Sequence, residues 1–143
     1  AAGELGHVTV LDSYGRRAGD PEPAVCACGR RGCLETVLSV PALRRAVEGL
    51  SPQDSGAVLA SVGRLLGTVL APVVSALNLA EVLLSGPSEL LDGPLREAAL
   101  ATVRERTMPV VGDQLSLRMA TLGEDAALSG AAVLVLSGQL GVS

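Results

Sequence analysis

The run Cys26-Ala27-Cys28-Gly29-Arg30-Arg31-Gly32-Cys33-Leu34-Glu35 holds all three cysteines of a 143-residue chain, and the earlier Glu4-Leu5-Gly6-His7 holds its only histidine. Three thiolates and one imidazole make up the soft, four-membered ligand set that a structural zinc ion takes in a tetrahedron. Gly29 and Gly32 allow the left-handed turns needed to fold so short a loop around one ion. A disulfide weighs less, because a Cys-x-Cys pair is too close to bridge comfortably and an odd count leaves one thiol over. Inert buried thiols weigh less too, since Pro21, Pro23, Gly29, Gly32, Arg30 and Arg31 give the stretch the composition of a loop. All three readings stand at this point, with zinc held by His7, Cys26, Cys28 and Cys33 ahead of the others.

Around this loop the composition is that of one ordinary domain, with 48% hydrophobic residues for a core. That core has to be aliphatic, because there is no Phe or Trp and Tyr14 is the lone aromatic residue. A net charge of -4 argues against nucleic-acid binding by these residues, since phosphate contacts need a basic face. No uninterrupted apolar run approaches the roughly 18 residues of a membrane span, so no membrane partner is expected. The chain opens on Ala1-Ala2-Gly3, without initiator Met or targeting segment, and reads as a fragment of a longer protein.

Periodicity gives an α/β pattern. His7 to Leu11 reads as a short strand entering a loop. A helix begins after Ser39 with Pro41 in its first turn and Leu43, Val47 and Leu50 along one stripe, leaving Arg44, Arg45 and Glu48 to water. Asp54 opens a long amphipathic helix carrying Val58, Val62, Leu65, Leu66, Val69, Leu70, Val73 and Leu77 on its apolar side, with Pro72 expected to kink or split its end. Val82-Leu83-Leu84, stopped by Gly86 and Pro87, reads as a buried strand of a parallel sheet. Pro94 starts a helix with Leu95, Ala98, Ala99, Thr102 and Val103 inward, ending before Pro109. Leu115, Leu117, Met119 and Thr121 alternate as a half-buried or edge strand. The segment from Glu124 to Leu140 reads as a final helix, apolar all round, whose Val133, Leu134, Val135 and Leu136 would drive self-association.

The spacing Glu-x-Gly-His followed by Cys-x-Cys-Gly-x-x-Gly-Cys-x-Glu resembles the signature of the ROK family. That family, named for repressor, open reading frame and kinase, joins sugar kinases and sugar-responsive transcriptional regulators on one actin-like ATPase fold of the ribonuclease H-like class. The likeness continues more loosely through Glu81 to Gly86 and Leu122 to Ala132. One departure is the segment from Val8 to Val25, longer than in the kinases. The resemblance implies that residues 1–143 are a C-terminal ROK-type domain with a zinc-binding loop. The N-terminal ATPase-like half, and any DNA-binding domain, would lie outside them.

The resemblance also implies roles. Residues matching Glu4, His7 and Glu35 contact a small sugar, glucose-like or N-acetylhexosamine-like, while those matching His7, Cys26, Cys28 and Cys33 hold structural zinc. The histidine serves both, one ring nitrogen to each. Without the family, Glu4 and Glu35 read equally well as carboxylates supporting the metal ligands or as solvated surface charges. ROK kinases further carry an N-terminal phosphate loop and an Asn-Asp pair that supplies the general base. Neither occurs upstream of Glu4, so these residues alone do not make a competent kinase. Ser85 and Gly86 would be a remnant of the nucleotide loop, where the kinases have consecutive glycines; Pro87 removes a backbone donor there.

Three functions follow. The first is the sugar-sensing part of a transcriptional regulator, cytoplasmic and homo-oligomeric, touching DNA only through an absent N-terminal domain. The second is the C-terminal half of an ATP-dependent sugar kinase. The third is a zinc-stabilised interaction module without sugar chemistry.

Overall fold

The computed structural model describes Val25, residues 28–120 and the strand at 131–135. The expected strand at His7 to Leu11 lies outside the described residues. The described part is α/β, as expected.

Helix α1, Val40–Val47, starts where Ser39 accepts a hydrogen bond from the Ala42 amide at 3.3 Å and Pro41 occupies the first turn. Leu43 is fully buried on its inner side, whereas Leu50 falls beyond the helix end and is exposed. Helix α2, Pro52–Leu77, is capped by Ser51, which accepts from the Asp54 amide at 3.1 Å. Its apolar stripe buries Leu59, Val62, Leu66, Leu70 and Val74. Leu77, expected on that stripe, is 66% exposed because the helix runs past the core before it stops. It stops at Asn78, whose left-handed φ of 51° lets the Leu79 amide reach back to the Val74 carbonyl at 3.1 Å.

Pro72 does not split α2, which is continuous across it. The ring faces water, where the carbonyl deprived of its donor can be solvated. By length and composition α2 is also apolar enough to cross a membrane. Its buried face instead packs into the core with α4 and the sheet.

Strand β1, Glu81–Ser85, is central among the described strands and leads through the short helix α3, Ser88–Leu91, into α4, Pro94–Arg106. Helix α4 buries Leu95, Ala99, Thr102 and Val103. The small helix α5, Pro109–Gly112, folds back on it, and Arg104 Nε donates to the Gly112 carbonyl at 3.2 Å. Strand β2, Ser116–Met119, then pairs in parallel with β1, and Arg96 Nη1 ties α4 to it by donating to the Leu117 carbonyl at 3.2 Å.

Strand β3, Ala131–Val135, pairs in parallel with the other side of β1, giving the order β2-β1-β3. This corrects, over Ala131–Val135, the helix expected from Glu124 to Leu140, whose other residues lie outside the described ones. Ala-Ala-Val-Leu-Val is a short apolar run, and such a run is strand or buried helix on periodicity alone; pairing along the whole of β1 decides it. Val133, Leu134 and Val135 are therefore sheet residues opposite Leu83, Leu84 and Ser85 and not part of a helix surface for self-association, while Leu136 lies outside the described residues.

Alternation along β1 sends Val82 and Leu84 into the same core as Leu66, Leu70, Leu95, Val103 and Leu117. Leu83 points to the opposite face and is also fully buried. Each such aliphatic side chain contributes about 1.5–3 kcal/mol by leaving water, which is how a core without Phe or Trp is assembled.

Candidate functional site

Val25 bridges antiparallel to Arg31, closing the turn that carries Cys28. Gly29 (φ 92°) and Gly32 (φ 77°) both take the left-handed conformation expected of them, which costs a glycine nothing and almost any other residue a strain. The result brings Cys28 Sγ to 3.5 Å from Cys33 Sγ. That is far beyond a disulfide bond of about 2.05 Å, so the two are not joined by one. It is close to the separation of about 3.8 Å that two thiolates have when each sits about 2.3 Å from one tetrahedral ion. His7 and Cys26, the other two expected ligands, lie outside the described residues. No set of three metal-ligating side chains converges among the described residues.

Cys33 is fully buried, and its backbone is pinned. It opens a 3-10 turn, Leu34–Thr36, in which its carbonyl accepts from the Thr36 amide at 3.0 Å and from Thr36 Oγ1 at 2.6 Å. Leu34 plugs that turn into the core. Thr36 and Leu34 are thus the residues that fix the loop. The sequence singled out neither, although a threonine three positions after a ligand cysteine is a usable signal.

Glu35, on the same turn, is only 8% exposed, and its Oε2 is shielded from solvent. Of the two readings open for it without the family, solvated surface charge is removed. A carboxylate in this position has given up most of its water and depends on polar neighbours. Glu4, its expected companion, lies outside the described residues together with His7.

Ser85 ends β1 at the carboxyl edge of the sheet, the edge where open α/β sheets place their ligands. Exposed Gly86 follows, and the chain turns at once into α3. Pro87 (φ -62°) accepts hydrogen bonds at its carbonyl from the Leu90 and Leu91 amides, both at 3.1 Å. The loop therefore presents no amide at position 87, and the Pro87 carbonyl is already taken.

A family model described as "ROK family" matches residues 1–137. The chain belongs to the ROK family. Among its curated relatives are a glucokinase of Halalkalibacterium halodurans, 29% identical with 94% of this chain and 47% of that one covered, and the DNA-binding transcriptional repressor Mlc of Escherichia coli, 24% identical with 92% and 36% covered. A solved ROK-family transcriptional regulator, a homologue of the Escherichia coli MLC protein, superposes with a TM-score of 0.61 at 28% identity, covering 82% of this chain and 34% of that one. This ROK chain thus spans about half the length, or less, of the curated relatives it matches. Regulators and sugar kinases both stand among them.

Proposed function

We propose that this chain is the sugar-sensing, zinc-stapled C-terminal part of a ROK transcriptional regulator. The reading rests on Pro87. A loop that must approach a nucleotide triphosphate needs backbone amides and glycine freedom at the end of the strand, and Ser85-Gly86-Pro87 supplies one glycine followed by a residue with no amide. Its structural similarity to a ROK regulator agrees with that reading.

In this function Glu35 accepts hydrogen bonds from sugar hydroxyls, with Glu4 and His7 beside it. A buried carboxylate forms strong charge-assisted bonds of this kind. Leu34 and Thr36 hold the turn, so that Glu35 meets the sugar from a fixed backbone. Zinc, bound by His7, Cys26, Cys28 and Cys33, would supply a structural crosslink that orients the His7 ring toward the sugar. The 3.5 Å between Cys28 and Cys33 sulfurs fits such a ligand pair. Sugar binding would then order this loop, and an appended DNA-binding domain would read the change.

The second reading, the C-terminal half of a sugar kinase, is favoured by the 29% identity to a glucokinase. The two part in one assay on the full-length parent protein. With glucose or N-acetylmannosamine and magnesium ATP, a regulator releases no ADP above background, and the sugar alters its retention of DNA from its own upstream region. Sugar-dependent ADP release would establish the kinase instead. Absence of sugar binding by calorimetry would leave the zinc-stabilised interaction module.

A further inference from the structure

We propose that Asp92 and Gly93 form a self-modification site, at which the main chain slowly isomerises to isoaspartate, and that Arg96 restrains the reaction. The dipeptide joins α3 to α4. Asp92 is exposed, and the Gly93 amide already lies against its carboxyl, donating to Oδ1 at 3.0 Å. Gly93 has no side chain to shield that nitrogen, and a β-carbon built there would meet nothing within 4 Å. Its φ of 98° is open to glycine and strained for other residues, so the local conformation itself calls for the uncrowded neighbour that makes cyclisation possible. Asp54 and Asp113, the other aspartates among the described residues, are followed by Ser55 and Gln114.

The reaction needs neither cofactor nor oxidant and stands apart from the sugar reading. A turn about the Asp92 Cα–C bond carries the Gly93 nitrogen onto Cγ. The N–Cγ bond forms, and the carboxyl hydroxyl leaves with the amide proton as water. Water then reopens the five-membered imide. Opening at the former main-chain carbonyl routes the chain through the side-chain carbon and leaves a free α-carboxylate, the group that a repair-type carboxyl methyltransferase accepts. Only the neutral carboxyl has a hydroxyl to lose, and this is where Arg96 acts. Its Nε donates to Asp92 Oδ1 at 2.7 Å, the oxygen that the Gly93 amide also holds, while its Nη1 is anchored on the Leu117 carbonyl at 3.2 Å. That hydrogen bond, with the guanidinium charge, keeps the acid ionised below its ordinary value. Isomerisation lengthens the chain by one main-chain atom where α4 begins and turns the carboxylate held by Arg96 into a peptide carbonyl.

A glutamate-specific protease cuts after Glu89 and Glu97 and releases residues 90–97 as one peptide. The purified full chain is held for weeks in warm neutral buffer, and this peptide is mapped by electron-transfer fragmentation. The expected product is a second form of unchanged mass that resists a protease cutting before aspartate, with a trace one water lighter. Asp54 and Asp113 should show no such form. In Arg96→Ala the isomer should accumulate faster, by about tenfold for each pH unit by which the Asp92 midpoint rises, because the neutral fraction rises in that proportion. Arg96→Lys, which keeps the charge, should restore most of the restraint, and Asp92→Glu, whose ring would need six members, should yield no isomer. A synthetic peptide of residues 90–97 gives the unrestrained rate, which the folded parent protein should not reach. No isomer at Asp92 in either the parent or Arg96→Ala, or no excess over Asp54, would remove the site. Equal rates in the parent, Arg96→Ala and the peptide would remove the restraint by Arg96.

Discussion

Gly67 of α2 lies so close to Thr102 of α4 that a β-carbon built on the glycine falls 2.6 Å from the threonine Cβ and 2.6 Å from the Ala99 carbonyl. One turn earlier Gly63 overlaps the Leu95 carbonyl in the same way. Two helices can approach this closely only where a side chain is missing. Gly67→Ala is therefore expected to destabilise the domain by about 1–3 kcal/mol through overpacking. Gly56 is the internal control, because its β-carbon would meet only Pro94 Cγ at 3.6 Å. Gly56→Ala should be neutral or stabilising by up to about 1 kcal/mol, from helix propensity alone. Urea denaturation of the three proteins decides the matter, and equal midpoints would contradict the packing described.

Metal content tests the cysteine loop. The protein purified without chelator is expected to carry about one zinc per chain, and Cys28→Ser to lose it, because one thiolate fewer leaves the tetrahedron open. Elemental analysis finding no zinc in the parent protein would remove the metal from the proposed function.

Glu35 offers the clearest test of sugar contact, since its burial distinguishes it from a surface charge. In the full-length parent, Glu35→Ala and Glu4→Ala should each weaken sugar binding by about 1–3 kcal/mol for a lost charge-assisted hydrogen bond. Calorimetry giving unchanged affinity in both variants would take them out of the site.

Acid titration has a defined direction at Asp92. Its carboxylate accepts from Arg96 Nε at 2.7 Å, and chiefly this hydrogen bond, helped by the guanidinium charge and the Gly93 amide, holds its pKa below the ordinary 3.8 against the opposing effect of desolvation. A carboxyl depressed on folding contributes stability that is fully present above 3.8 and lost as pH falls through the lower folded value. NMR should therefore show Asp92 titrating below 3.8, and Arg96→Ala should bring it back up toward that value. An unmoved midpoint in the variant would mean that Arg96 does not set it.

The sequence made much of the fold readable, and particular residues explain where it did not. Ser39 with Pro41, and Pro94, marked helix starts by local chemistry that needs no tertiary context. Val82-Leu83-Leu84 was readable because β1 is buried on both faces and its pattern is continuous. Ala131 to Val135 is also a continuous apolar run, but the two acids upstream, Glu124 and Asp125, suited a helix start, and only its partner strand resolved it. Gly63 and Gly67 carried no signal of their own in the sequence; their value lies in α4, about 35 positions further along the chain and invisible to periodicity. At the site, the cysteine spacing and its glycines announced a tight loop. The burial of Glu35 was not legible, because it follows from Leu34 being drawn into a distant core.

The parallel order β2-β1-β3 also constrains the sequence of events in folding. Contacts of α2 with α4 and of β1 with β2 close comparatively short stretches of chain, whereas Glu81 can meet Ala131 only after α3, α4, α5 and β2 have been laid down between them. Late, long-range pairing of this kind carries the largest loop-closure cost and belongs on the native side of the barrier. Weakening β3, as by Leu134→Ala, should then quicken unfolding while leaving the refolding rate nearly unchanged, and stopped-flow measurement of both limbs would show it. Until β3 docks, one hydrogen-bonding edge of the central strand has no partner in this sheet, and that interval is when the young chain is most open to pairing with another copy of itself.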